Sequence, residues 1–472
     1  MRNGGFGMPK FINVSSYWAA IVCALLLSSC APTLKAIPPA AAITPPIEMR
    51  TDLRGVVPLE GNWWTLFGDP QLVQLVEQAR LNNTDIAVAT ARVEEARGIE
   101  ATSRSVLVPT LEGGISGGVQ RIVSAFGRGQ NSLAAQPLFR ASYELDLFGR
   151  NAATIEGAMA GVSANLAAKE AVLLSVSAAT ASSYVTLLAL DARRDTLSKT
   201  LEVRRQSVTF ARRRAQSGYT SQLEWRQAQA EYQATAQLLP PLDVQIARQE
   251  NALSILAGGF PAAFKRSTSL AGLIMPTPPQ IVPSELLRRR PDVAVAEYQL
   301  AASDAGMRAA RTRFMPTIGI SATAGVSLSD LLANPISVWS LGGSLLAPIF
   351  NGGRLQGQFD AATARRDQAT FTYRGIVLNA FREVEDRLSV LAQLNAQKAA
   401  LDAQRLAVAD ALRHATNRYQ AGYSPYLEQL DAQRGLQGVE LALIQFKADQ
   451  ILAMLGLYQA IGGGSDPMGA NR

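Results

Sequence analysis

The sequence predicts an α+β membrane protein made of two repeated halves, each with two amphipathic strands and one very long helix. Three observations carry this. Four segments alternate apolar and polar residues over the length a tilted strand needs to cross a bilayer. Two proline-free stretches rich in helix formers are longer than a globular helix has use for. Short motifs recur at an offset of about 204 to 207 residues.

The chain opens on a targeting segment, residues 1–29. Arg2 and Lys10 supply positive charge, and residues 18–27 supply an apolar stretch too short to span a bilayer. Leu27-Ser28-Ser29-Cys30 resembles the lipobox of bacterial lipoproteins, in which the cysteine thiol takes a diacylglycerol and becomes the first residue. Ala31 follows where an Asp would resemble an inner-membrane retention signal, which favours the outer membrane. Residues 30–62 are expected to form the lipidated tether, and the Pro- and Ala-rich tract from Ala31 to Pro46 reads as extended chain with no core of its own.

Composition narrows the function. The 472 residues are 48% hydrophobic and 18% charged, too apolar for disorder. The net charge of +7 is spread among acidic residues along helical stretches. No compact basic motif with interleaved aromatics occurs, so no nucleic-acid partner is expected. Cys23 and Cys30 are the only cysteines, and His414 is the only histidine. The body therefore has no disulfide framework, no His or Cys metal cluster, and no phosphate loop, zinc spacing or nucleophile elbow. No enzyme and no cofactor beyond the lipid on Cys30 is expected.

The strands come in two pairs. In the first half, Leu111, Ile115 and Val119 alternate with Glu112, Ser116 and Gln120, then Phe139, Ala141, Tyr143 and Leu145 with Arg140, Ser142, Glu144 and Asp146. In the second half, Ile318, Ile320, Ala322, Ala324 and Val326 alternate with Ser321, Thr323 and Ser327, then Trp339, Leu341 and Leu345 with Ser340 and Ser344. Period two gives each an apolar and a polar face. No hydrophobic run after residue 30 approaches 18 residues, so no membrane-spanning helix is expected. Four strands cannot close a barrel, and open edges are not tolerated in lipid, so several copies must assemble. Periodicity alone allows two, three or four.

The long helices are read over residues 151–216 and 352–420, each reaching roughly 100 Å at 1.5 Å per residue. Ser217-Gly218-Tyr219-Thr220 and Ala421-Gly422-Tyr423-Ser424 end them, with glycine supplying the left-handed cap. Asp85-Ile86-Ala87-Val88-Ala89 repeats as Asp292-Val293-Ala294-Val295-Ala296. Arg214 to Tyr219 parallels Arg418 to Tyr423, and Leu223-Glu224 parallels Leu427-Glu428. Each half thus reads helix, strand, strand, very long helix, tight turn, helix. Beyond the second turn, Glu428 and Asp431 are three apart and share a helix face.

These residues resemble the TolC-like outer-membrane efflux protein family, and in particular its OprM-like lipoprotein branch, the outer-membrane factors of resistance-nodulation-division tripartite pumps. Trp63-Trp64 with Phe67-Gly68-Asp69-Pro70, the run Tyr143 to Arg150, Pro283 to Asp292, Pro348 to Arg354, Phe381 to Asp386 and Tyr458 to Gly464 carry the likeness in order. It implies residues 63–260 as the first efflux repeat, 261–283 as a linker or equatorial segment, 284–464 as the second repeat and 465–472 as a tail. It implies a homotrimer whose 12 strands form a barrel in the outer-membrane lipid, continued by a periplasmic α-helical barrel. A periplasmic adaptor (membrane fusion) protein and an inner-membrane pump would dock below. By resemblance, Glu428 and Asp431 form the carboxylate ring of a periplasmic gate, and Tyr419 and Arg434 help to latch it. Gly218, Tyr219, Gly422 and Tyr423 would be adaptor-contacting helix tips. The chain has Glu428 where some relatives have Asp, and Ser424 where some have a latching Arg. The implied function is a passive exit duct for drugs or other toxic small molecules. The alternative is the outer-membrane duct of a type I protein secretion system, which uses the same fold. A purely structural lipoprotein would explain the long helices but not four symmetrically placed amphipathic strands.

Overall fold

The structure is a computed structural model that describes residues 32–46, 48–51, 61–123, 127–279 and 283–464. The targeting segment, Cys30 and the tail lie outside the described residues, as does part of the tether. The first half contains α1 (Pro70–Asn82), α2 (Thr84–Arg104), β1 (Thr110–Val123), β2 (Gly129–Leu145), α3 (Arg150–Gln216), α4 (Gln222–Ala236) and α5 (Leu239–Leu256). The second contains α6 (Pro283–Arg289), α7 (Pro291–Thr312), β3 (Thr317–Ser329), β4 (Ile336–Leu346), α8 (Arg354–Gln420) and α9 (Tyr426–Ala460). The repeat expected from the motifs is present, with α4 and α5 of the first half standing where the second has the single helix α9, and α3 and α8 are both 67 residues long.

In space the chain divides into two compact units, and each draws on both halves. One unit takes residues 1–42, 94–163 and 297–372, and the other takes 43–93, 164–296 and 373–472.

The first unit holds one antiparallel sheet in the order β1-β2-β3-β4. Register explains why the four alternations matter together. Leu111 faces Ala141, which faces Ala322, which faces Leu341, and Leu145 faces Ile318, which faces Leu345. All four apolar faces therefore lie on one side, with Glu112, Arg140, Thr323 and Ser340 in a row on the other. The chain does not cover the apolar side: Ile115 is 81% exposed and Trp339 79%. Among the described residues, β1 and β4 each pair on one side only.

The strand expected at 139–146 begins ten residues earlier, at Gly129. Its first part lacks clean alternation and contains Pro137, so the pattern hides it. Pairing with β1 holds it in place along its length. Against β3 the register is unchanged, but Gln136 and Pro137 make no ladder pair, as expected for a residue with no N–H.

The second unit is helical and its core is aromatic. Trp63, Trp64 and Phe67, on a short 3-10 turn, are buried with Tyr184, Leu187, Leu188, Met454 and Tyr458. Trp63 stacks on Tyr458 at 5.6 Å between ring centroids. Asp69 caps α1 through Gln71 N (2.7 Å) and Leu72 N (3.3 Å), and accepts from Tyr184 Oη at 2.9 Å. The expectation about membrane-spanning helices was too strict. Both α3 and α9 contain an 18-residue window apolar enough to cross a membrane by length and composition, and half of each window is buried inside the chain. That burial accounts for their apolar content.

Candidate gate at the helix turns

The two turns have the same backbone. Gly218 (φ 74°) and Gly422 (φ 81°) take the left-handed conformation. Tyr219 N donates to Arg214 O and Tyr423 N to Arg418 O, both at 2.9 Å, which closes each long helix by the same six-residue cap. The tip residues point outward: Tyr219 is 77% exposed and Tyr423 81%.

Just inside the tips lies a small core of Tyr419, Tyr426, Leu430, Ala211 and Ala228. Tyr419 is buried, and its ring lies 5.5 Å from that of Tyr426 and 5.9 Å from that of Phe210. Its hydroxyl donates to Glu224 Oε2 at 3.3 Å. Burial, with the Glu224 carboxylate beside it, pushes this phenol up to about 12. The Arg214 guanidinium sits 5.2 to 5.5 Å from the Phe210, Tyr219 and Tyr419 rings and donates to Tyr419 O at 3.2 Å.

A second network ties three helices. Glu231 on α4 accepts from Arg434 Nη2 of α9 at 2.5 Å and from Arg204 of α3. Arg204 also donates to Gln437 Oε1 at 2.7 Å. Arg204 and Glu231 are buried, and Arg434 is half-exposed. The hydrogen bond from Arg434, assisted by Arg204, holds the Glu231 carboxyl below the usual range against the opposing effect of burial. Tyr426 sits between the two networks, and burial raises its phenol.

The four gate residues named from the sequence therefore share one end of the helical unit but not one contact. Glu428 and Asp431 are exposed on the first turns of α9. Glu428 Oε2 lies 3.5 Å from Arg418 Nη1, a solvated pair, and Asp431 acts on Arg434 through its field. Tyr419 and Arg434 instead reach Glu224 and Glu231. Sequence reasoning missed Glu231, Arg204, Glu224 and Arg214 as partners. The repeat offered a signal for two of them, since Arg214 matches Arg418 and Glu224 matches Glu428. Glu231 and Arg434 have no such counterparts.

The family model described as "Outer membrane efflux protein" matches residues 75–259 and 282–463. The chain belongs to the outer membrane efflux protein family. It is 31% identical over 453 residues, 93% of this chain and 95% of the relative, to the pyoverdine export outer membrane protein OpmQ of Pseudomonas putida. It is likewise 31% identical over 440 residues, 90% of each chain, to the toluene efflux pump outer membrane protein TtgC of the same species. Its fold matches the Campylobacter jejuni CmeC outer membrane channel with a TM-score of 0.83 over 93% of this chain and 95% of that one, at 22% identity. This efflux protein is an outer-membrane channel component of an efflux pump, with its helical part in the periplasm. The helix turns just described belong to that helical part.

Proposed function

We propose that three copies of this efflux protein close a 12-stranded barrel and form the passive exit duct of a tripartite pump. The observation that carries this is the sheet: among the described residues it has one uncovered apolar face, one polar face, and an unpaired edge on both β1 and β4. Lipid covers the apolar face, and the edges pair between copies. The diacylglycerol-modified Cys30 adds an anchor. The inner-membrane pump supplies the energy.

The turns form the periplasmic mouth. Glu428 and Asp431 of three chains make a ring of six carboxylates that narrows the duct and favours cations. The Tyr419–Glu224 and Arg434–Glu231 links hold the helices closed around it. Four buried polar atoms at this end, Arg204 Nε, Ser424 Oγ, Tyr426 Oη and Gln433 Oε1, have no partner among the described residues. Native structures rarely leave such groups bare, which fits an end completed by other copies. The exposed Tyr219 and Tyr423 give a periplasmic adaptor apolar rings to seat against. The relatives are named for pyoverdine and toluene, chemically unlike cargoes, which fits a duct whose selectivity resides in the pump.

The test is conductance in a planar bilayer. The protein is expected to pass a small, cation-favouring current at neutral pH. Replacing Glu428 and Asp431 together with Ala is expected to change the conductance and weaken cation preference while the trimer persists. Identical currents would move the gate elsewhere, and absence of current from protein that does not trimerise would overturn the duct.

A further inference from the structure

The segment read from the sequence as an extended tether with no core of its own is held against the helices that flank the sheet. Pro32 to Ala42 belong to the same compact unit as the sheet. Arg366, on α8, is 2% exposed. Its Nη1 donates to Lys35 O at 3.0 Å and its Nη2 to Ala36 O at 3.2 Å, while its Nε is taken by Asp367 at 2.9 Å. Arg311, at the end of α7, donates from Nε to Pro32 O at 2.8 Å. A 3-10 turn over Pro39–Ala41 then buries Ala41.

We infer that Arg311 and Arg366 form a carbonyl clamp that fixes the segment from Pro32 to Ala42 as a strap on α7 and α8. A buried guanidinium needs acceptors for its donors, and among the described residues two donors of Arg366 find theirs on the strap backbone. The clamp reads peptide carbonyls, so it holds the chain whatever its side chains. Lys35 shows this: its side chain is exposed, its ion pair with Asp360 is long at 3.8 Å, and its carbonyl is held. Residues 32–38 are in neither helix nor strand, so their carbonyls are not committed to a regular backbone ladder.

Arg311 stands just before β3, and Phe314 N turns back to Arg311 O at 3.2 Å before the strand begins at Thr317.

Limited trypsin digestion of the folded protein tests it, because Lys35 is the first trypsin site after Cys30 and its carbonyl is the scissile one. The intact protein is expected to be cut after Lys35 at least about tenfold more slowly than the Arg366→Gln variant, since cleavage follows the open population. Arg366→Lys is expected to behave like Arg366→Gln, because one shorter-reaching ammonium nitrogen cannot replace three guanidinium nitrogens that serve Asp367, Lys35 O and Ala36 O together. Arg311→Gln, at a more exposed position, is the second variant and is expected to give a smaller acceleration with the assembly intact. Equal rates in the wild type and both Arg366 variants would overturn the clamp. Rapid cleavage of Cys30→Ser with intact arginines would overturn it as well, by showing that lipid alone holds the strap. The mass of the released peptide spanning residues 30–35 reads lipidation separately.

Discussion

At the scale of single residues, the helix-turn end holds one carboxylate between two guanidiniums. Glu231 is buried with Arg204 and reaches the half-exposed Arg434. Removing its charge leaves Arg204 buried with no counter-ion, which costs on the order of 3 kcal/mol, whereas the surface pair of Arg418 and Glu428 is worth about 1 kcal/mol or less. Glu231→Gln is expected to lower the denaturation midpoint of the assembled protein and raise its bilayer conductance. Arg418→Gln is expected to do neither to a measurable degree. The pH dependence follows from the lowered carboxyl. Stability from Glu231 is complete above the ordinary carboxylate range and is lost as pH falls through the depressed folded value. The Glu231→Gln midpoint should therefore lose that part of the acid dependence. A variant as acid-sensitive as the parent would show that other carboxylates control it.

At the scale of elements, close approach decides where the sheet needs glycine. A Cβ on Gly325 would stand 2.1 Å from Pro137 O and 2.9 Å from Leu138 Cα, backbone atoms that cannot swing aside. One on Gly114 would meet nothing within 4 Å. Gly325→Ala is expected to cost about 2 kcal/mol by overpacking and to lower the heat resistance of the assembly. Gly114→Ala is expected to leave it unchanged. The measurement is the temperature at which each assembly dissociates in mild detergent, and equal temperatures would mean that the β2–β3 ladder adapts freely around Pro137. The long helices raise the opposite issue. Nothing within them stops a helix, so each ends only where Gly218 or Gly422 lets the chain turn.

At the scale of the whole molecule, the exposed sheet face and open edges make the single chain incomplete. Cysteines placed along β1 and β4, in a background without the two native ones, are expected to cross-link β4 of one copy to β1 of the next under oxidation. The ladder of products should end at three chains. A ladder ending at two or four would overturn the trimer while keeping an intermolecular barrel.

The sequence by itself determined the elements and their duplication, because period-two strands, proline-free helices and glycine turns are written in local chemistry. It also pointed to Tyr419, Glu428, Asp431 and Arg434 through motif resemblance. Only the tertiary structure decided the partners. Arg434 meets Glu231 across 203 residues of chain, and Arg366 meets Lys35 across 331. Neither pairing has a spacing rule, since each depends on which helix faces pack together. The first ten residues of β2 were hidden for the same reason: Gly129 to Leu138 have no alternation of their own and are strand because β1 pairs with them. The tether read as extended chain with no core of its own, because Pro- and Ala-rich sequence carries no side-chain signal of what holds it, and what holds it is its carbonyls.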